Sequence, residues 1–187
     1  MAFEIPKGAD YFWFGFDLRV LVADPAKIDP YLGDLNDWPK HITGSPPVFD
    51  TPDLNHTLLF NNVRRLCADA EPITVQPTHD AYFGDSGEAP ATVFANGKLR
   101  VLHRALLGEL AMNGYIPGRH FNPLYAGREY NPHTSHMEGE LIPRDPLTLS
   151  YLSLFRKIKG RKFAQERFPL GGRSEERRVG KECRSRW

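Results

Sequence analysis

Two short segments, His41-Ile42-Thr43 and His133-Thr134-Ser135, share one pattern: an imidazole and, two residues on, a hydroxyl. In a β-strand, residues i and i+2 project from the same face, so each segment, if extended, presents ring and hydroxyl side by side. Two such pairs suit the cleavage or transfer of a phosphodiester. One group must take a proton from the attacking oxygen and another must give one to the leaving oxygen. Imidazole, with an ordinary pKa near 6.5, does either at neutral pH. The hydroxyls are placed to meet the charge on the nonbridging phosphate oxygens. Other histidines of the seven fit this pattern less well. His56 has Leu58 at +2 and reads as helical, His103 sits in a Leu-rich helix as a partly exposed residue, and His79 and His120 read as loop residues with no assigned role.

The elements that must position these pairs alternate. Tyr11–Val22 (YFWFGFDLRVLV) is aromatic and β-branched and predicts a buried strand. Asp24-Pro25 is a cap followed by Pro at the first helical position, predicting a short helix to about Leu35. His41–Thr43 opens a strand. Thr51-Pro52 starts a helix to about Asp69, with Leu54, Leu58, Leu59, Val63 and Leu66 at helical spacing. Ile73–Gln76 and Ala91–Phe94 predict strands. Lys98–Asn113 carries Leu99, Leu102, Leu106, Leu107 and Leu110 on one face and ends at Gly114. A Pro/Gly-rich loop leads to the second pair, and Leu147 to about Lys157 turns at Gly160 into 162–170 as a hairpin. The order is β-α-β-α-β-β-α-β-β-β. Two strand–helix–strand units each end in a His-x-hydroxyl segment, a weak internal duplication that predicts an α+β domain with two related halves.

Length and composition bound the rest. A chain of 187 residues can bury a substantial core, and 41% hydrophobic and 12% aromatic residues are ordinary for a globular domain. No apolar run approaches the roughly 18 residues of a membrane span, and the N-terminus lacks a signal-peptide pattern, so a cytoplasmic protein is expected. Residues 1–170 read as the domain and 171–187 as a tail. Arg173–Trp187 (RSEERRVGKECRSRW) matches the in-frame translation of a sequencing-library adapter and is set aside as non-native. Without its six basic and three acidic residues, 18 basic face 20 acidic ones, and the formal charge falls from +1 to −2. A polyanionic substrate must therefore meet a local patch rather than a basic surface. Cys67 is then the single cysteine, which excludes a disulfide framework.

With these residues in view, the chain resembles the two-histidine phosphoesterases, which include the 2′-5′ RNA ligases and cyclic phosphodiesterases. The resemblance rests on YFWFGFDLRV, on KHIT at 40–43, on KLRVLHRALLGEL, on YNPHTS at 130–135 and on the closing LSYLSLFRKIKGRKFAQERFPL. It implies a bilobal fold of two pseudo-symmetric antiparallel-sheet lobes, helices outside and a central cleft. It also implies catalysis by His41, Thr43, His133 and Ser135 without metal or cofactor, on RNA ends carrying 2′,3′-cyclic phosphate or 2′-5′ linkages, or on small cyclic nucleotides. Lys40, Arg128 and Tyr130 are the expected substrate contacts, and a monomer is expected.

Two rival readings stand beside it. His133-x-x-His136 with Glu138 and Glu140 offers metal ligands, but i and i+3 of a strand point to opposite faces. A non-catalytic module could hold an RNA end or nucleotide in the same cleft by stacking and local cations.

Overall fold

The structure is a computed structural model that describes residues 8–21, 23–33, 40–49, 51, 54–83, 87, 89–95, 97–123, 126–127, 130–135 and 144–171. The proposed tail from 173 onward lies outside the described residues, as do Arg128, His136, Glu138 and Glu140. Ten strands and two helices are described: β1 (Tyr11–Asp17), β2 (Tyr31–Gly33), β3 (His41–Thr43), β4 (Val48–Phe49), α1 (His56–Asp69), β5 (Ile73–Phe83), β6 (Ala89–Ala95), α2 (Gly97–Met112), β7 (His133–Ser135), β8 (Leu147–Leu149), β9 (Tyr151–Ile158) and β10 (Arg161–Pro169). No helix among them is long and apolar enough to cross a membrane.

The strands form two antiparallel sheets. One runs β2-β10-β9-β1-β3, with β4 paired to the start of β1; the other runs β7-β6-β5-β8. In the first sheet Phe12, Phe14 and Phe16 point to the helices and join Leu59, Val63 and Cys67 of α1 in the main core. In the second, Val75 and Phe94 do the same beside Leu99, Leu102, Leu106 and Leu110 of α2. One continuous core thus backs both halves, and it fixes which face of each strand is left for chemistry. Tyr11, Trp13, Phe155 and Ala164 form a smaller cluster on the opposite face of the first sheet.

The α+β architecture is as the sequence predicts, and the helices outside the two sheets are as the resemblance implies; several boundaries differ for identifiable reasons. β1 stops at Asp17 because its carboxylate accepts the Arg19 backbone N–H at 3.0 Å and turns the chain into a 3-10 turn, Leu18–Leu21. The helix expected from Pro25 to Leu35 is only the 3-10 turn Pro25–Lys27. Asp24 does cap it, but Pro30 disfavours helical backbone at Asp29, and Tyr31–Gly33 pair with β10 instead. α1 begins at His56, capped by Asn55 accepting from Leu58 N, rather than at Thr51-Pro52. Leu147–Lys157 is not one element: β8 joins β5 in the second sheet, and only β9 enters the hairpin with β10. That hairpin turns through Lys159 and Gly160, both at positive φ, the requirement of a tight two-residue turn.

Candidate active site

The two His-x-hydroxyl segments occupy equivalent places. Each is a three-residue edge strand, antiparallel to a longer strand: β3 to β1 and β7 to β6. The middle residues, Ile42 and Thr134, are buried. The flanking residues face away from the helices, since His41 and Thr43 pair with Asp17 and Gly15, and His133 and Ser135 with Val93 and Ala91. β3 and β7 pack against each other, so the edges of the two sheets meet at the motifs.

On β3, Thr43 Oγ1 lies 3.2 Å from His41 Nε2, and Trp13 Nε1–H donates to that same nitrogen at 3.2 Å. The indole can only donate, so Nε2 is unprotonated in this arrangement. The ring lies against Phe155 (5.2 Å) and Trp13 (5.8 Å between centroids), which themselves stack at 5.1 Å. Gly15 makes this possible. A Cβ there would lie 2.9 Å from the Ile42 carbonyl oxygen, 3.0 Å from His41 Cδ2 and 3.2 Å from Phe155 Cε2. Asp17, beside His41 in register, is almost wholly buried and shared by two guanidiniums, Arg19 at 2.8 Å and Arg167 at 3.4 Å. Burial alone would raise its carboxyl. The hydrogen bonds and charge of Arg19, with Arg167, hold it below its ordinary value.

On β7, His133 Nδ1–H donates to the Asn131 carbonyl at 2.8 Å, leaving Nε2 as the lone-pair nitrogen. Phe83, at the end of β5, stacks face-on over the ring at 4.0 Å and 11°. Burial pushes the His133 pKa below its ordinary value, against the smaller opposing effect of the Asn131 bond. Ser135 is exposed.

A buried latch joins the two motifs. Tyr130, three residues before His133, donates its hydroxyl to the Thr43 carbonyl at 2.7 Å and stacks on His103 at 3.8 Å and 5°. His103 Nδ1–H donates to the Gly44 carbonyl at 2.8 Å, and its Nε2 accepts from Gly127 N–H at 3.1 Å. Burial lowers the His103 pKa and raises that of Tyr130, so both hold the uncharged forms these bonds need. His103 is 1% exposed, which corrects the expectation of a partly exposed helical residue. Tyr130, expected as a substrate contact, is 5% exposed with ring and hydroxyl both engaged, a placement that suits a strut between the halves. Replacing Tyr130 with Phe is expected to lower unfolding stability by about 1–2 kcal/mol, since Thr43 O loses its buried donor. An unchanged urea midpoint would show that the latch contributes nothing to stability.

Of the other expected residues, Lys40 is exposed next to His41, and Arg128 lies outside the described residues. Sequence reasoning missed Trp13, Gly15, Phe83 and His103. Gly15 alone had a signal, an isolated glycine within an aromatic strand, which marks close approach of another group.

Comparisons with known proteins bear on the fold. No family model and no curated protein sequence matches the chain. Solved structures do. TT0787 of Thermus thermophilus is 16% identical with a TM-score of 0.53, over 87% of this chain and 98% of that one. E. coli LigT complexed with NADP+ is 14% identical at 0.53, over 87% and 99%. A third, described as a phosphoesterase, is 13% identical at 0.50, over 87% and 98%. The fold is thus that of LigT and this phosphoesterase, two antiparallel sheets flanking a cleft, as the resemblance of the motifs implies.

Proposed function

We propose that the chain is a two-histidine phosphoesterase that opens 2′,3′-cyclic phosphate ends of RNA or small cyclic nucleotides, with His41 and His133 as an acid/base pair. The observation that carries this reading is the equivalent placement of two His-x-hydroxyl edge strands at the seam of the two sheets. Hydrolysis needs a base to deprotonate water, an acid to protonate the leaving ribose oxygen, and donors on the phosphate. His133 suits the base, because burial favours its neutral imidazole and the Asn131 bond holds the proton on Nδ1, leaving Nε2 as the lone-pair nitrogen. His41 then serves as the acid. Protonating its Nε2 gives up the 3.2 Å bond from Trp13, a contact at the long limit for an N–H donor. Thr43 Oγ1, at 3.2 Å, is the neighbouring acceptor for that proton. Thr43 and Ser135 supply hydroxyl donors to the nonbridging oxygens. Lys40, exposed beside β3, and Arg128 are proposed to hold the rest of the anion. With a ribose 5′-hydroxyl attacking the cyclic phosphate in place of water, the same base and acid would serve ligation.

Phosphorus NMR of a nucleoside 2′,3′-cyclic phosphate incubated with the purified chain tests the reading, with conversion to a single monophosphate expected, in chelator as in its absence. Saturable binding with the cyclic phosphate returned intact would instead favour a non-catalytic nucleotide-binding module.

The His133 environment yields a pH prediction. Burial disfavours its protonated form, so the base persists to lower pH than an ordinary histidine would allow. Phe83→Ala admits water over the ring, weakens that penalty and raises the pKa toward the usual value near 6.5. The acid limb of kcat/KM is expected to move to higher pH in this variant. A limb that stays in place, or moves lower, contradicts His133 as the base.

A further inference from the structure

We propose that His79 is a second substrate-contacting position in the cleft, accepting a hydrogen bond from the ribose 2′-hydroxyl of the nucleotide that precedes the reacting end. The inference deepens the catalytic reading above and rests on it for the identity of the substrate. Expected as a loop residue, His79 lies within β5, where a bulge separates Pro77 from His79 in the pairing with β6. Pro77 pairs with Phe94, whose side chain packs toward the helices. Regular pairing would set Thr78 opposite Val93 and turn His79 toward the helix side. The extra residue sets His79 opposite Val93 instead, on the face that carries His133. Re-aiming one side chain in this way is a known use of bulges beside active sites.

The ring is also oriented. Thr78 Oγ1 donates to the Val93 carbonyl at 3.0 Å and lies 3.1 Å from His79 Nδ1. With its single proton committed to Val93, the hydroxyl accepts from Nδ1–H, which leaves Nε2 as an outward acceptor. The imidazole is exposed. Asp80 projects to the other face, where it meets Thr92 and Arg144, and so does not compete for it. His133, Val93 and His79 form one cross-strand row, which sets His79 two strand spacings, about 10 Å, from His133. The cyclic phosphate of a mononucleotide held at His133 does not span that distance, whereas a second nucleotide does. By their pairing, Val93, Ala91 and Ala81 lie on the same face of the sheet as His79. An outward acceptor nitrogen matches a hydroxyl donor, and the 2′-hydroxyl is the group by which a protein distinguishes RNA from DNA.

The test compares three substrates: a nucleoside 2′,3′-cyclic phosphate, a dinucleotide with the same end, and that dinucleotide with 2′-deoxyribose at the first position. Both kcat/KM and the Kd of each dinucleotide are measured. The wild-type chain is expected to favour the ribo over the deoxy dinucleotide by about three- to tenfold, the worth of one hydrogen bond. His79→Ala should abolish that preference and leave mononucleotide turnover unchanged. Thr78→Val should weaken the preference by releasing the ring. A preference that survives His79→Ala, or is absent from the wild type, overturns the proposal. Failure of mononucleotide turnover in the wild type would count against the catalytic reading, while the Kd ratio still decides the His79 contact.

Discussion

Replacing either His41 or His133 with alanine is expected to lower turnover of a nucleoside 2′,3′-cyclic phosphate by roughly a hundred- to ten-thousand-fold, the usual worth of a positioned proton-transfer group. The double variant should be little worse than either single one, because an acid and a base serving one transition state act as a unit and their losses do not add. Neither ring sits in the main core. His41 packs on the smaller aromatic cluster and His133 beneath Phe83, so the fold should persist in both variants. His56 and His120 are controls, since they pack around Tyr115 on the helix side, and their conservative replacement should spare kcat. Wild-type turnover in both His41→Ala and His133→Ala would remove the basis of the proposal.

Gly15→Ala should be the most damaging substitution outside the motifs. The added carbon meets a backbone atom, Ile42 O at 2.9 Å, which no side-chain rotation relieves, and it meets the His41 ring at 3.0 Å. β3 is a three-residue edge strand, so it gives way and takes His41 and Thr43 with it. A displacement approaching 1 Å of a catalytic group costs about a hundredfold, and we expect kcat to fall ten- to a hundredfold with KM much less affected. Overpacking at this level lowers stability by about 1–3 kcal/mol, which thermal unfolding would detect as a modest loss in a folded protein. A folded Gly15→Ala variant with wild-type kcat would mean that the position of His41 over β1 does not govern the reaction.

How far the sequence foretold this site depends on the range of the interaction. The two motifs were legible because a period of two puts ring and hydroxyl on one face, a property local to three residues. The strand after Asn131-Pro132 and the long helix Gly97–Met112 were legible for the same reason, through turn residues and Leu spacing. The latch was not. His103 has helical neighbours that say nothing of the Gly44 carbonyl 59 residues away, and Tyr130 reaches Thr43 across 87. Phe83 reads as an ordinary strand aromatic until β5 brings it over His133. The misread helix after Pro25 shows the converse failure: the local start signal was correct, and long-range pairing with β10 overrode what followed.

If His41 and His133 serve one reaction, one phosphate sits between the two imidazoles. Proton NMR of the ring C2–H signals during titration with a nucleoside monophosphate, the expected product, tests it most directly. One equivalent is expected to move the His41 and His133 signals together, with a common midpoint, and the response of either should weaken when the other is replaced by alanine. Movement of only one of the two, or of neither while nucleotide binds, would contradict it.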